Sequence, residues 1–358
     1  MSSAEHETPS PSAQGNGRHG IGLHAQEFDR RALLVTGGAV AAAAIGGPLA
    51  WRAFLPTAPV FVARHQRYDG SLVQTIRDGL TACGASDAQF RGRKVLLKPN
   101  LVEPCRDRPH MTTHPAVILA AAEVFRGWGA EVAVGEAPGH VRDTETALFD
   151  SGVAEALRGE KLRFADLNYE DVGTRPNAGG YSSLAEFYLP RSVLEADYVV
   201  SLPKMKTHHH VGVTAAMKNL YGVLPGIKYG WPKNVLHHNG IPQTVADIAS
   251  SLPETLAIID GIDCMEGDGP ILGSPKHMGL IVVGRNLPAV DATVTRIMGL
   301  VPDRIDYLRL IADRLGPIAD RRIEQHGETW QSVASPFAVL DQPHLKHLRA
   351  RTDGPLVT

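Results

Sequence analysis

The feature that most constrains this chain is a series of short apolar runs separated by helical patterns. The runs are Val60-Phe61-Val62, Val95-Leu96-Leu97, Val132-Ala133-Val134, Tyr198-Val199-Val200, Leu256-Ala257-Ile258-Ile259 and Leu280-Ile281-Val282-Val283. Several are β-branched, and together they read as buried strands. Helical periodicity fills Leu72 to Cys83, Pro115 to Trp128, Thr144 to Leu157, Thr244 to Leu252, and Asp303 to Leu315, where Gly316-Pro317 is the stop. This alternation predicts an α/β fold: a mostly parallel sheet with helices on both faces, in one domain or two lobes. Tyr169 to Tyr188 breaks the rhythm and reads as an insertion or hairpin, and Phe337 to Leu340 as one more short strand.

Composition narrows the partners. With 358 residues, 43% hydrophobic and 21% charged, the chain can bury a real core and is neither disordered nor collagenous. A net charge of -2 gives no basic field for nucleic acid. Three cysteines, Cys83, Cys105 and Cys264, match no paired metal or ferredoxin spacing.

The amino terminus reads as an address. Residues 1 to 27 are polar and lead into Phe28-Asp29-Arg30-Arg31, followed by an Ala- and Gly-rich run without charge through Trp51. A polar lead, paired arginines and a weakly apolar stretch resemble a twin-arginine export signal. Residues 1–55 are thus expected to be a leader read by the twin-arginine machinery, and 56–358 a single α/β domain. The body is expected outside the cytoplasm, periplasmic or extracellular. It would be anchored if the run stays uncleaved, since about 20 apolar residues can span a bilayer.

Charge falls where the predicted strands end. Lys98-Pro99-Asn100 follows one strand, Glu136 another, Lys204 and Lys206 a third, and Asp260 ends a fourth. In open α/β sheets ligands bind at the carboxyl ends of strands, so these residues are expected around one pocket. No arginine lies between Arg191 and Arg285, yet six lysines do: Lys204, Lys206, Lys218, Lys228, Lys233 and Lys276. Lysine is a compact point charge that can lose its proton when buried, as a base, a Schiff-base former or a phosphate binder needs. Histidines gather in the same region, including His208-His209-His210. On an extended chain at most His208 and His210 share a face, and no HExxH pattern is present. Glu266 and Asp268 sit among glycines in Met265-Glu266-Gly267-Asp268-Gly269-Pro270, where carboxylates can attract a cation or receive protons. GxGxxG, GxxxxGK[ST] and GxSxG fingerprints are absent.

Five ordered motifs carry a resemblance: Lys98 to Val102, Thr113-His114-Pro115, Ser201 to His208, Ala216-Met217-Lys218-Asn219-Leu220-Tyr221-Gly222, and Met265 to Pro270, followed by Ala289-Val290-Asp291-Ala292. Over about residues 93 to 300 they resemble the bacterial and archaeal domain of unknown function 362 family. The resemblance supplies no reaction. Many relatives carry a cysteine run that holds iron–sulfur clusters; this chain lacks it, so no such cluster is expected. The plan is also loosely similar to lactate racemase-like proteins, where lysines and histidines meet a nickel-bearing cofactor, but no ligand set carries over residue by residue.

The resulting expectation is metal- or lysine-assisted chemistry on a small anionic carboxylate or phosphate compound. Lys204, Lys206 and His208 are the candidate catalytic residues; Lys98, Asn100, His114, Lys218 and Asn219 the ligand-binding ones. Glu136, Asp260, Glu266 and Asp268 are candidates to hold a divalent cation or serve as base. A non-catalytic binding protein for the same ligand, or a redox partner without its own cluster, stays open. The residues do not fix the oligomeric state.

Overall fold

A computed structural model describes residues 57–102, 104, 106–139 and 143–351, and the backbone of 356 and 357. The leader, Arg30, Arg31 and Cys105 lie outside the described residues. The strands that position the site are β1 (Ala58–Ala63), β2 (Lys94–Pro99), β3 (Glu131–Glu136), β4 (Arg163–Asp166), β5 (Val172–Pro176), β6 (Glu186–Pro190), β7 (Tyr198–Leu202), β8 (Lys204–His208), β9 (Gly212–Thr214), β10 (Glu254–Glu266), β11 (Ser274–Gly284) and β12 (Ile323–Gly327). The main sheet runs β12-β1-β11-β10-β7-β2-β3-β4, with β8 paired to the far half of β10 and β9 to β8. The pairs β10–β7, β7–β2, β2–β3 and β3–β4 are parallel; β11 is antiparallel to both β1 and β10. The fold is therefore the expected α/β arrangement around a mostly parallel sheet.

Alternation along the strands explains why both faces are covered. Successive side chains point to opposite faces. Val95, Leu97, Val200, Leu202, Leu256, Ile258, Ile281 and Val283 pack in one cluster with helices Leu72–Ala82 and Pro115–Gly127. Leu96, Val199, Ala257, Ile259, Leu280 and Val282 pack in the other, with helices Ile241–Ser251 and Leu287–Ile297. A run that is apolar at every position is what a sheet buried on both sides demands.

Several boundaries differ from the sequence expectation. The helix expected over Thr144 to Leu157 is two short ones, Thr144–Asp150 and Val153–Gly159, because Gly152 between them takes a left-handed φ of 75°. The one expected over Asp303 to Leu315 shrinks to Asp306–Ile311, and Asp313 beyond it has φ 66°. β5 and β6 pair as an antiparallel hairpin within Val172–Pro190, as the break in rhythm suggested. Among the described residues no helix is long and apolar enough to cross a membrane.

Candidate functional site

The parallel strands β2, β3 and β7 end along one rim, while β10 runs past it to Glu266 in register with β11 and β8. Beyond the strand ends side chains take over the tying of backbone groups. Thr113 Oγ1 accepts from the Asn100 N–H at 2.8 Å and donates to the Leu202 carbonyl at 2.5 Å, clamping the ends of β2 and β7 together. Asn219 Nδ2 donates to Lys98 O and to Ser201 Oγ, each at 3.0 Å, across the same two strands.

On this frame sits a continuous polar ladder. Lys98 Nζ donates to Pro99 O at 2.6 Å, Glu136 Oε2 at 2.7 Å and Asn219 Oδ1 at 2.9 Å. Asn219 Oδ1 also accepts from Asn100 Nδ2 at 3.2 Å, and Asn100 Oδ1 accepts from Lys206 Nζ at 2.9 Å. Lys206 completes its shell with the carbonyls of Met111 at 2.8 Å and Pro270 at 3.2 Å, and none of its three oxygen partners is a carboxylate. Glu136 also accepts the N–H groups of Leu101 and Ala137. Burial draws the Lys98 amine down and the Glu136 carboxyl up, each opposed by its partner. A methyl group on Gly222 would collide with Glu136 Oε1 and Lys98 Nζ, so the backbone itself closes over this pair.

Lys204 and Asp260 form a second buried cluster beside the first. Lys204 Nζ donates to Asp260 Oδ2 at 2.7 Å and to the Tyr68 hydroxyl at 2.9 Å, and Tyr68 donates to Asp260 Oδ1 at 3.2 Å. The His114 N–H reaches Asp260 Oδ2 at 2.9 Å. The His114 ring stacks on Tyr68 at 3.8 Å while its Nδ1 caps the following helix by accepting from Ala116 N–H, and burial lowers its pKa. Every polar group of this cluster that the ion pair needs is supplied, which is the pattern of a structural knot.

A cavity of about 260 Å³ opens on the other side of the ladder. Of the candidate residues, Lys98, Asn100, Glu136, His208, Lys218 and Asn219 line it, whereas Lys204, Lys206, His114, Asp260, Glu266 and Asp268 do not. The single pocket expected for all the rim lysines is thus divided. Lys218 follows Asp291-capped backbone: Asp291 accepts the N–H groups of Ala216 and Met217 at 2.7 and 3.1 Å and the Tyr307 hydroxyl at 3.1 Å. Lys218 Nζ stands 3.8 Å from the centre of the Tyr221 ring and has no oxygen partner among the described residues. Burial, with the Lys98 charge adding to it, pulls its pKa down to about 7. His208 Nδ1 accepts the His210 N–H at 3.1 Å, which leaves its proton on Nε2. Burial and then the Lys218 charge hold this imidazole well below its usual value. Lys206 is lowered in the same way, by burial and then by Lys204, Lys218 and Lys98.

The four acids do not converge. Glu136 and Asp260 are saturated by the partners above. Glu266 accepts the Ala338 N–H at 2.9 Å and pairs with Lys276 at 3.3 Å, and Asp268 faces His209 at 3.3 Å. Among the described residues no group of three or more His, Cys, Asp or Glu is placed to hold a metal ion.

Sequence reasoning assigned no individual site role to the lining residues Thr214, Tyr221, Lys233 and His237, although Lys233 stood among the six lysines of the stretch without arginine. Thr214 Oγ1 is buried with no hydrogen-bond partner among the described residues. Lys233 donates to Leu224 O and to Asn168 Oδ1, and burial lowers it to about 7. Tyr221 and Asp291 lie inside motifs quoted above, but nothing in their type or spacing announced a role.

Residues 95–296 match the family model described as "Domain of unknown function (DUF362)". A thylakoid-associated protein of Synechocystis sp. is 30% identical over 263 residues, 72% of this chain and 79% of that protein. The lactate racemase apoprotein of Thermoanaerobacterium thermosaccharolyticum superposes with a TM-score of 0.35 at 17% identity, over 57% of this chain and 51% of that one.

Proposed function

Because the chain belongs to the domain of unknown function 362 family, a membership that names no reaction, we propose its activity from the cavity: lysine-assisted chemistry on a small anionic compound, a carboxylate or phosphate. The observation that carries this reading is Lys218, a lysine at the cavity wall that no oxygen holds among the described residues. A bound anion would supply its missing countercharge. An amine that titrates near neutrality can also give and take a proton at the working pH. The cavity, at about 260 Å³, falls below the roughly 300–1,000 Å³ typical of sites for drug-sized ligands. The metal-assisted branch draws less support, since Glu136, Asp260, Glu266 and Asp268 each serve a separate partner.

Calorimetric titration of the wild type and Lys218→Met with inorganic phosphate and with oxalate tests the reading. Binding of one of them, weakened tenfold or more in the variant and tightening as pH falls through 7, is expected; tenfold corresponds to about 1.4 kcal/mol. No binding of either anion would overturn it. The reading also includes export: Arg30-Arg31 before an uncharged run supports passage through the twin-arginine machinery to the periplasm or beyond.

A further inference from the structure

We propose that Lys218 is an imine-forming residue and that its substrates are small carbonyl acids, α-keto acids foremost. This rests on the anion-binding reading and deepens it by naming the electrophile. The lysines of the rim divide sharply by what holds them: Lys98, Lys204, Lys206 and Lys233 are buried among oxygens, and Lys218 is only partly buried at the cavity wall. Lys98 and Lys206 each donate to three oxygens, and Lys204 and Lys233 to two. An amine whose hydrogens are committed to oxygens is not free to turn a lone pair toward a ligand, even where burial lowers its pKa as at Lys206 and Lys233. Lys218 meets an aromatic face instead, and at neutral pH about half of such amines would be unprotonated.

The cavity also holds groups suited to the proton transfers. The amine nitrogen attacks the carbonyl carbon, the C=O π pair moves to oxygen, and a proton passes from nitrogen to oxygen to give a carbinolamine. The C–O bond then breaks as oxygen leaves as water with a proton given by a cavity acid such as His208 Nε2–H, the nitrogen lone pair closes the C=N bond, and the remaining N–H proton returns to that group. The sum is one carbonyl plus one amine to one imine plus one water, with nothing oxidised or reduced. Two exchangeable groups line the same cavity: the Thr214 hydroxyl, buried and without a partner among the described residues, and His208, whose Nε2 carries its proton. The acid group of the substrate follows from charge. Glu136 is committed to Lys98, so any proton carried by Lys218 or Lys233 leaves the lining in need of an anion.

The test uses the full chain incubated with pyruvate or glyoxylate and sodium cyanoborohydride, followed by intact-mass measurement and peptide mapping. A reduced adduct on Lys218 is expected, at least tenfold above that on the exposed Lys94 and Lys346, with a rate that rises with pH through about 7. Lys218→Arg should abolish it while retaining positive charge, and oxalate, which has no electrophilic keto group, should protect Lys218 in the wild type even if the variant fails to fold. Oxalate binding without any adduct, or an adduct spread evenly over exposed lysines, overturns the imine and leaves anion binding standing. Neither binding nor adduct overturns both.

Discussion

Asp291 accepts the backbone N–H of Ala216 at 2.7 Å, so a carboxylate on a helix 75 residues downstream anchors the turn that presents Lys218. It is wholly buried, and burial lifts its pKa to about 7 against three donors that pull the other way. A carboxyl whose folded pKa exceeds its unfolded value of about 3.9 binds its proton more tightly in the fold. Its contribution is therefore full below about pH 4 and is lost as pH rises toward 7. Urea midpoints from pH 4 to 7 should fall less steeply for Asp291→Asn than for the wild type. Parallel curves would show that Asp291 does not titrate in this range.

Lys218 has the opposite sign. Its folded pKa of about 7 lies below the unfolded value of about 10.4, so the unfolded chain holds the extra proton between them and stability rises with pH across that window. Lys218→Met should remove that rise between pH 7.5 and 9.5, by up to about 1.4 kcal/mol per pH unit for one proton. Lys233 keeps a rise of its own, so the difference between the two proteins is the quantity to measure.

Removing one member of the Lys98–Glu136 pair leaves a buried charge without its partner. Glu136→Gln should cost about 3–5 kcal/mol in urea unfolding, and Lys98→Met with Glu136→Leu together less than the two single losses combined. Additive losses would mean that the 2.7 Å contact contributes nothing as a pair.

Glu266→Gln and Asp268→Asn break only partly exposed pairs with Lys276 and His209. Each should change stability by about 1 kcal/mol or less and leave phosphate and oxalate affinity unaltered. A tenfold loss of affinity in either would return that acid to the site.

Export is checked by replacing Arg30 and Arg31 with Lys and fractionating cells. The folded body should then stay in the cytoplasm; unchanged accumulation outside it would defeat the assignment.

The sheet was legible because doubly buried strands write themselves as continuous apolar runs, and the rim because Lys98, Glu136 and Asp260 fall just where those runs stop. β8 was not legible as a strand: Lys-Met-Lys-Thr-His carries charge at alternate positions, yet all five residues are buried. Burying them depends on partners at distant sequence positions, Asp260 for Lys204 and the carbonyls of Met111 and Pro270 for Lys206. Spacing could place both lysines on one rim but could not show that they serve different clusters. Nor could it show that Glu266 turns toward Ala338 and Lys276, since residue type alone does not say which way a loop carboxylate points.

The run from Lys98 through Asn219 and Asn100 to Lys206 has a consequence for how such proteins can diverge. Each amide is fixed in orientation by what it accepts and what it donates, so a single exchange takes an oxygen from an ammonium that depends on it. Lineages should cross this stretch in coordinated steps, with the two asparagines and their lysines covarying as a set, while lining residues outside it are free to change one at a time.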